Sequence, residues 1–173
     1  SLLYAVDNGA DVINASWGSD VPCSESSVLF HALNYAYGKG VVVVASAGNS
    51  NADVVNFSPA GCPNVITVAA TDSSDQKAYF SNWGKGIDVA APGGGIYSTS
   101  GWQTYRTLSG TSMAAPHVSG LAALILGQFP TYTNTQVRQL IRSSADDLGV
   151  PGFDVNYGYG RINAAKALGV NPP

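Results

Sequence analysis

Charged residues are scarce in this sequence of 173 residues: 8 Lys and Arg with 11 Asp and Glu leave a net charge of −3. No basic cluster is present, so a nucleic-acid partner, which needs Lys and Arg against phosphates, is not expected. Long apolar runs are lacking too. A membrane span needs about 18 to 20 such residues, whereas Val118 to Leu126, the most apolar stretch, is broken by Ser119 and Gly120 and predicts a buried core helix. No membrane partner is expected. Methionine occurs once, as Met113, and histidine twice, as His31 and His117. The chain opens Ser1-Leu2-Leu3-Tyr4 with neither an initiator methionine nor a secretory leader, and is read as a piece of something longer. Cysteine is limited to Cys23 and Cys62. Two cysteines among few charges suit an oxidising compartment. Either they pair across a loop of about 40 residues, stabilising by about 4 kcal/mol in the chain-entropy view, or they are two buried thiols.

What is present is small and apolar: 45% hydrophobic residues and 20 glycines, enough for one tightly packed domain. Leu2, Leu3 and Val6 stand at helical spacing before Asn8-Gly9. Asp11 to Ser16 reads as a short buried strand, and Leu29, Ala32, Leu33 and Ala36 as an amphipathic helix. Val41 to Val44 predicts a strand buried on both faces. Val65 to Ala70 and Ile87 to Ala90 predict two more strands. Helices follow at Ser112 to Gly127, at Gln136 to Ser144 behind a capping box of Thr133 and Gln136, and at Ala164 to Leu168. Strands alternating with helices predict an α/β domain with a parallel sheet. A strand buried on both faces needs neighbours at both edges, so something outside this chain is expected beside the strand at residues 12–16.

Ser112 follows Gly110-Thr111 and opens a long apolar helix. A serine there sits among unpaired backbone N–H groups at the positive helix end, where an oxyanion is stabilised. Gly110 permits a sharp turn, Ala114 and Ala115 leave the approach open, and Pro116 is tolerable if it falls in the first turn. An ordinary serine N-cap is the competing reading.

The run Gly110-Thr111-Ser112-Met113-Ala114-Ala115-Pro116-His117-Val118-Ser119-Gly120 resembles the nucleophile signature of the subtilisin-like serine proteases, the subtilases. Asp11 to Gly18, Val41 to Asn49, Phe80 to Gly84 and Asp88 to Gly93 resemble further segments in the family's order, so the resemblance runs from about residue 2 to 168. It implies a subtilisin-like parallel sheet flanked by helices, with residues 1–173 as the C-terminal portion of a single peptidase domain whose N-terminal part is absent. It implies Ser112 as nucleophile and Asn49 as oxyanion donor. Ser16, Trp17 and Gly18, opposite Ser46, Ala47 and Gly48, would flank the cleft for an extended polypeptide substrate. Proteinase K-like members imply a structural calcium on the carbonyls of Pro63 and Val65 and the carboxylate of Asp88, and related bacterial members a Cys23–Cys62 disulfide. The resemblance implies no cofactor for catalysis and an extracellular location.

A nucleophilic serine needs a base within about 3 Å and a carboxylate to orient that base. His117 lies five positions beyond Ser112, about 500° around the helix and about 7.5 Å along it. His31 falls on a packing helix. The family's Asp and His motifs do not occur here. The expected function is therefore peptide-bond hydrolysis through an acyl-enzyme on Ser112, with Asp and His supplied by a missing N-terminal part, either in the same protein or as a separate chain. The alternative is a catalytically incomplete fragment acting as a peptide-binding or scaffold module.

Overall fold

Val42 and Val44 point to one side of a sheet and Val43 and Ala45 to the other, each set into its own apolar cluster. In the computed structural model, which describes residues 1–170, this segment is strand β2 (Val42–Ser46), paired with β1 (Val12–Ala15) and β3 (Ile66–Thr71). Strand β4 (Val89–Pro92) completes a sheet of order β1-β2-β3-β4 in which every pairing is parallel. The α/β architecture expected from the alternation is present.

Helices cover both faces. α1 (Leu2–Asp7) and α2 (Val28–Gly38) lie over Val43, Ala45 and Val65 through Val6, Leu33 and Ala36. On the other face α3 (Thr111–Gln128) and α4 (Asn134–Ser143) pack Val118, Leu121, Ile125, Val137 and Ile141 against Val42, Val44, Val68 and Val89. α5 (Ala164–Ala167) adds Ala167 to the same cluster. Ser27 caps α2 by accepting the Phe30 N–H. Thr133 and Gln136 form the expected capping box, so α4 begins at Asn134, directly after its cap.

The expected strand at 87–90 lies two residues later, at Val89–Pro92. One pair of strands was not anticipated: β5 (Ile96–Thr99) and β6 (Tyr105–Leu108) form an antiparallel hairpin leading into α3. β1 is one of the two edge strands, with Asn14 exposed and Val12 and Ile13 only half-buried, whereas β2 and β3 are buried throughout. Cys23 and Cys62 form a disulfide, which ties the loop after β1 to the segment before β3. Among the described residues no helix is long and apolar enough to cross a membrane.

Candidate active site

β1, β2 and α3 converge at their ends, and this convergence brings the candidate residues together. Ser112 is the second residue of α3, where helix geometry leaves its N–H without an intrahelical acceptor. Its hydroxyl donates to the Ser16 carbonyl at 3.1 Å, and the Ser16 hydroxyl donates back to the Ser112 carbonyl at 2.9 Å. Pro116 explains the second bond. α3 starts at Thr111, so Pro116 is its sixth residue and lies beyond the first turn, in which a proline is tolerated. Its missing N–H would have bonded the carbonyl four residues back, which is that of Ser112. Ser16 supplies the donor instead and locks the end of β1 to the helix start.

Asn49 follows β2 on a short loop. Its Oδ1 accepts from the Thr111 N–H at 2.8 Å and from the Thr111 hydroxyl at 2.9 Å. A backbone N–H can only donate, so the atom facing it is the carboxamide oxygen. The Nδ2 amino group is thereby turned the other way, and among the described residues it donates to no protein acceptor. The Thr111 hydroxyl also accepts from the Gly48 N–H at 3.0 Å. Thr111 thus joins the loop to the residue next to Ser112.

A cleft of about 180 Å³ links these groups, lined by Trp17, Gly18, Ser46, Ala47, Gly48, Asn49, Thr111 and Ser112. All of the proposed wall residues other than Ser16 line it, and Ser16 contacts Ser112 directly. Phe57 was not anticipated: it lines the same cleft and is almost fully buried. Its ring lies 3.6 Å from where a Cβ on Gly48 would stand. Gly48 has φ +102, and that Cβ would meet the Asn82 Nδ2 at 2.4 Å, so only glycine fits. Trp17 is half exposed at the rim.

Neither histidine accepts from the Ser112 hydroxyl, which donates to the Ser16 carbonyl. His117 Nδ1 bonds the Met113 carbonyl of its own helix at 2.9 Å. His31 is exposed on α2, edge-on to Phe30.

The residues of the calcium reading, Pro63, Val65 and Asp88, do not fit a cation in this structure, because the one carboxylate among them is committed elsewhere. Asp88 is fully buried at the start of β4, and its carboxylate is already occupied. Oδ1 accepts from Arg138 Nε and Arg142 Nε, both at 2.7 Å. Oδ2 accepts from Arg138 Nη2 at 2.9 Å and from the Thr67 N–H at 2.8 Å. Two guanidiniums hold the position that a dication would need, and a dication beside them would be repelled. Among the described residues no three His, Cys, Asp or Glu side chains gather as a metal site.

With this geometry in place, comparison with known proteins is specific. Residues 1–160 match the Subtilase family. The chain is 46% identical to the thermophilic serine proteinase of Bacillus sp. (strain AK1), a match over 97% of this chain and 40% of that protein. It is also 46% identical to thermitase of Thermoactinomyces vulgaris, over 96% of this chain and 57% of that protein. Among solved structures, a protease from Pseudoalteromonas arctica aligns with a TM-score of 0.85 at 38% identity, over 94% of this chain and 51% of the other. The chain therefore spans roughly half the length of the curated relatives it matches.

Proposed function

The chain belongs to the subtilase family, and from that premise we propose that it carries the nucleophile and both oxyanion donors of a serine endopeptidase. In this reading Ser112 attacks the peptide carbonyl, and the Ser112 N–H and the Asn49 amino group hold the oxyanion. The observation that carries it is the Asn49 carboxamide, whose oxygen is pinned by two Thr111 donors while its amino group has no protein acceptor among the described residues. A donor fixed before reaction loses little to reorganisation when charge develops, which is where this kind of stabilisation gains its strength.

The proton needs a base that these residues do not provide: His117 turns its Nδ1 onto its own helix, and His31 lies on the surface of α2. We assign the Asp and His to a preceding part of the same peptidase domain, of which residues 1–173 form the C-terminal portion. The half-buried edge of β1 supports this assignment. The substrate is an extended polypeptide lying between residues 16–18 and 46–48. The disulfide suits an oxidising, extracellular setting. Retention of a fixed amide donor beside the serine favours the protease over a peptide-binding scaffold, since a scaffold has no use for that alignment.

Hydrolysis of a chromogenic peptide decides between them. The full encoded protein should hydrolyse it and lose activity to a serine-directed phosphonate, whereas residues 1–173 alone should not hydrolyse it. A full protein that binds the peptide without cleaving it would establish the scaffold instead.

A further inference from the structure

Asn82 is fully buried, belongs to no helix or strand, and takes no part in the chemistry described above. Its backbone N–H and both ends of its carboxamide are nevertheless bonded to the loop that carries Asn49, while its own carbonyl accepts from the Ser81 hydroxyl. Its backbone N–H donates to the Gly48 carbonyl at 3.0 Å, and its Nδ2 donates to the Ala47 carbonyl at 2.9 Å. Its Oδ1 accepts from the Ser50 N–H at 2.9 Å and from the Ala52 N–H at 3.0 Å. Because the two backbone N–H groups can only donate, the orientation of this carboxamide is settled as well.

The neighbours of Asn82 extend the seam. The Asn51 N–H donates to the Phe80 carbonyl at 2.9 Å, and the Trp83 N–H to the Ala52 carbonyl at 3.0 Å. Residues 47, 48, 50, 51 and 52 are thus held from one side by residues 80–83. Asn49 is held from the opposite side by Thr111. The loop has reason to need this support, since Gly48 and Asn51 both adopt positive φ, at +102° and +48°. An irregular loop with left-handed residues keeps its shape only where its surroundings over-determine it.

We infer that Asn82 is a positioning residue: it fixes the backbone on both sides of Asn49 and so sets where the Asn49 amino group points. This rests on the reading of Asn49 as the oxyanion donor. Asn82 touches no substrate in this account and acts through Asn49. A change of an ångström in a catalytic group costs on the order of a hundredfold in rate, so a loosened loop is felt in turnover before it is felt in binding.

The test is a double-mutant cycle in the full encoded protein, with Asn82→Ala, Asn49→Ala and their combination. Asn82→Ala should lower kcat about a hundredfold with KM little changed. On the Asn49→Ala background the same change should alter kcat by less than about twofold, since there is no donor left to misplace. An equal loss on both backgrounds would make Asn82 a general structural support and overturn the inference, leaving Asn49 as the donor. An Asn49→Ala variant with unchanged kcat would instead remove the donor reading itself. Asn82→Ser, which leaves a hydroxyl in the space, runs through the same cycle in case the alanine variant does not fold. Amide exchange of residues 47–52 is read on the same proteins whether or not they turn over substrate. It should speed up at Ser50 and Ala52 in the Asn82 variants, and unchanged protection there would also overturn the inference.

Discussion

Pro116 and Ser16 show how one residue's deficit becomes another's role. The proline leaves the Ser112 carbonyl without its helical donor, and the Ser16 hydroxyl fills the gap. Ser16→Ala should therefore cost about 1 kcal/mol in urea unfolding, the usual worth of such a bond. Thr111→Val should act on chemistry more than on stability, because it removes a hydroxyl that donates to Asn49 and accepts from Gly48. In the full protein kcat should fall while KM holds, approaching the hundredfold or greater loss known in subtilisin when this type of donor is removed altogether. Ser112 and Asn49 were legible in the sequence because each stands in a long, specific run. Phe57 was not, since a lone phenylalanine carries no pattern, and Asn82 stood inside the Phe80 to Gly84 run with no role attached to it. Only the fold places Asn82 against the Asn49 loop and Phe57 beside the cleft.

Among the elements, those with a buried face were the ones that could be read. β2 and β3 are apolar on both faces, and α4 announces itself through its capping box. The β5–β6 hairpin is almost wholly exposed, so it has no apolar period to detect. The clamp of α4 on Asp88 was legible in principle: Arg138 and Arg142 are four residues apart and share one helix face. The family resemblance drew Asp88 toward calcium instead. The clamp makes an asymmetric prediction. Replacing both arginines by methionine strands a buried carboxylate and should cost about 3 to 5 kcal/mol. Asp88→Asn should cost less, because both arginines are partly exposed, with about 30% and 31% of each side chain accessible, and can return to water. Thermal unfolding should rank the variants in that order, and a chelator should leave the difference between wild type and Asp88→Asn unchanged.

For the molecule as a whole, a surface network binds the C-terminal segment to the body. Asp146 accepts from Lys166, Arg161 and Asn163, and Arg161 also reaches Asp75. The Lys166 ammonium first, then Arg161 and Asn163, hold the Asp146 carboxyl well below its usual range, at about 2. A depressed carboxylate stabilises fully above its unfolded pKa of about 4 and loses that contribution as pH falls toward its folded value. With solvent screening the contribution is about 1 kcal/mol. The stability gap between wild type and Asp146→Asn, read by urea unfolding, should be constant from about pH 7 to 5 and close between about pH 5 and 2. At this scale the sequence also pointed to an open side beside β1, and the fold has an edge there. The central claim is that Ser112 is one half of a catalytic site whose base lies outside these residues. Labelling by a fluorophosphonate, mapped by mass spectrometry, tests it most directly. In the full encoded protein Ser112 should be labelled rapidly, and in residues 1–173 alone it should react no faster than an ordinary serine. Rapid labelling of Ser112 in residues 1–173 alone, or none in the full protein, would contradict the account.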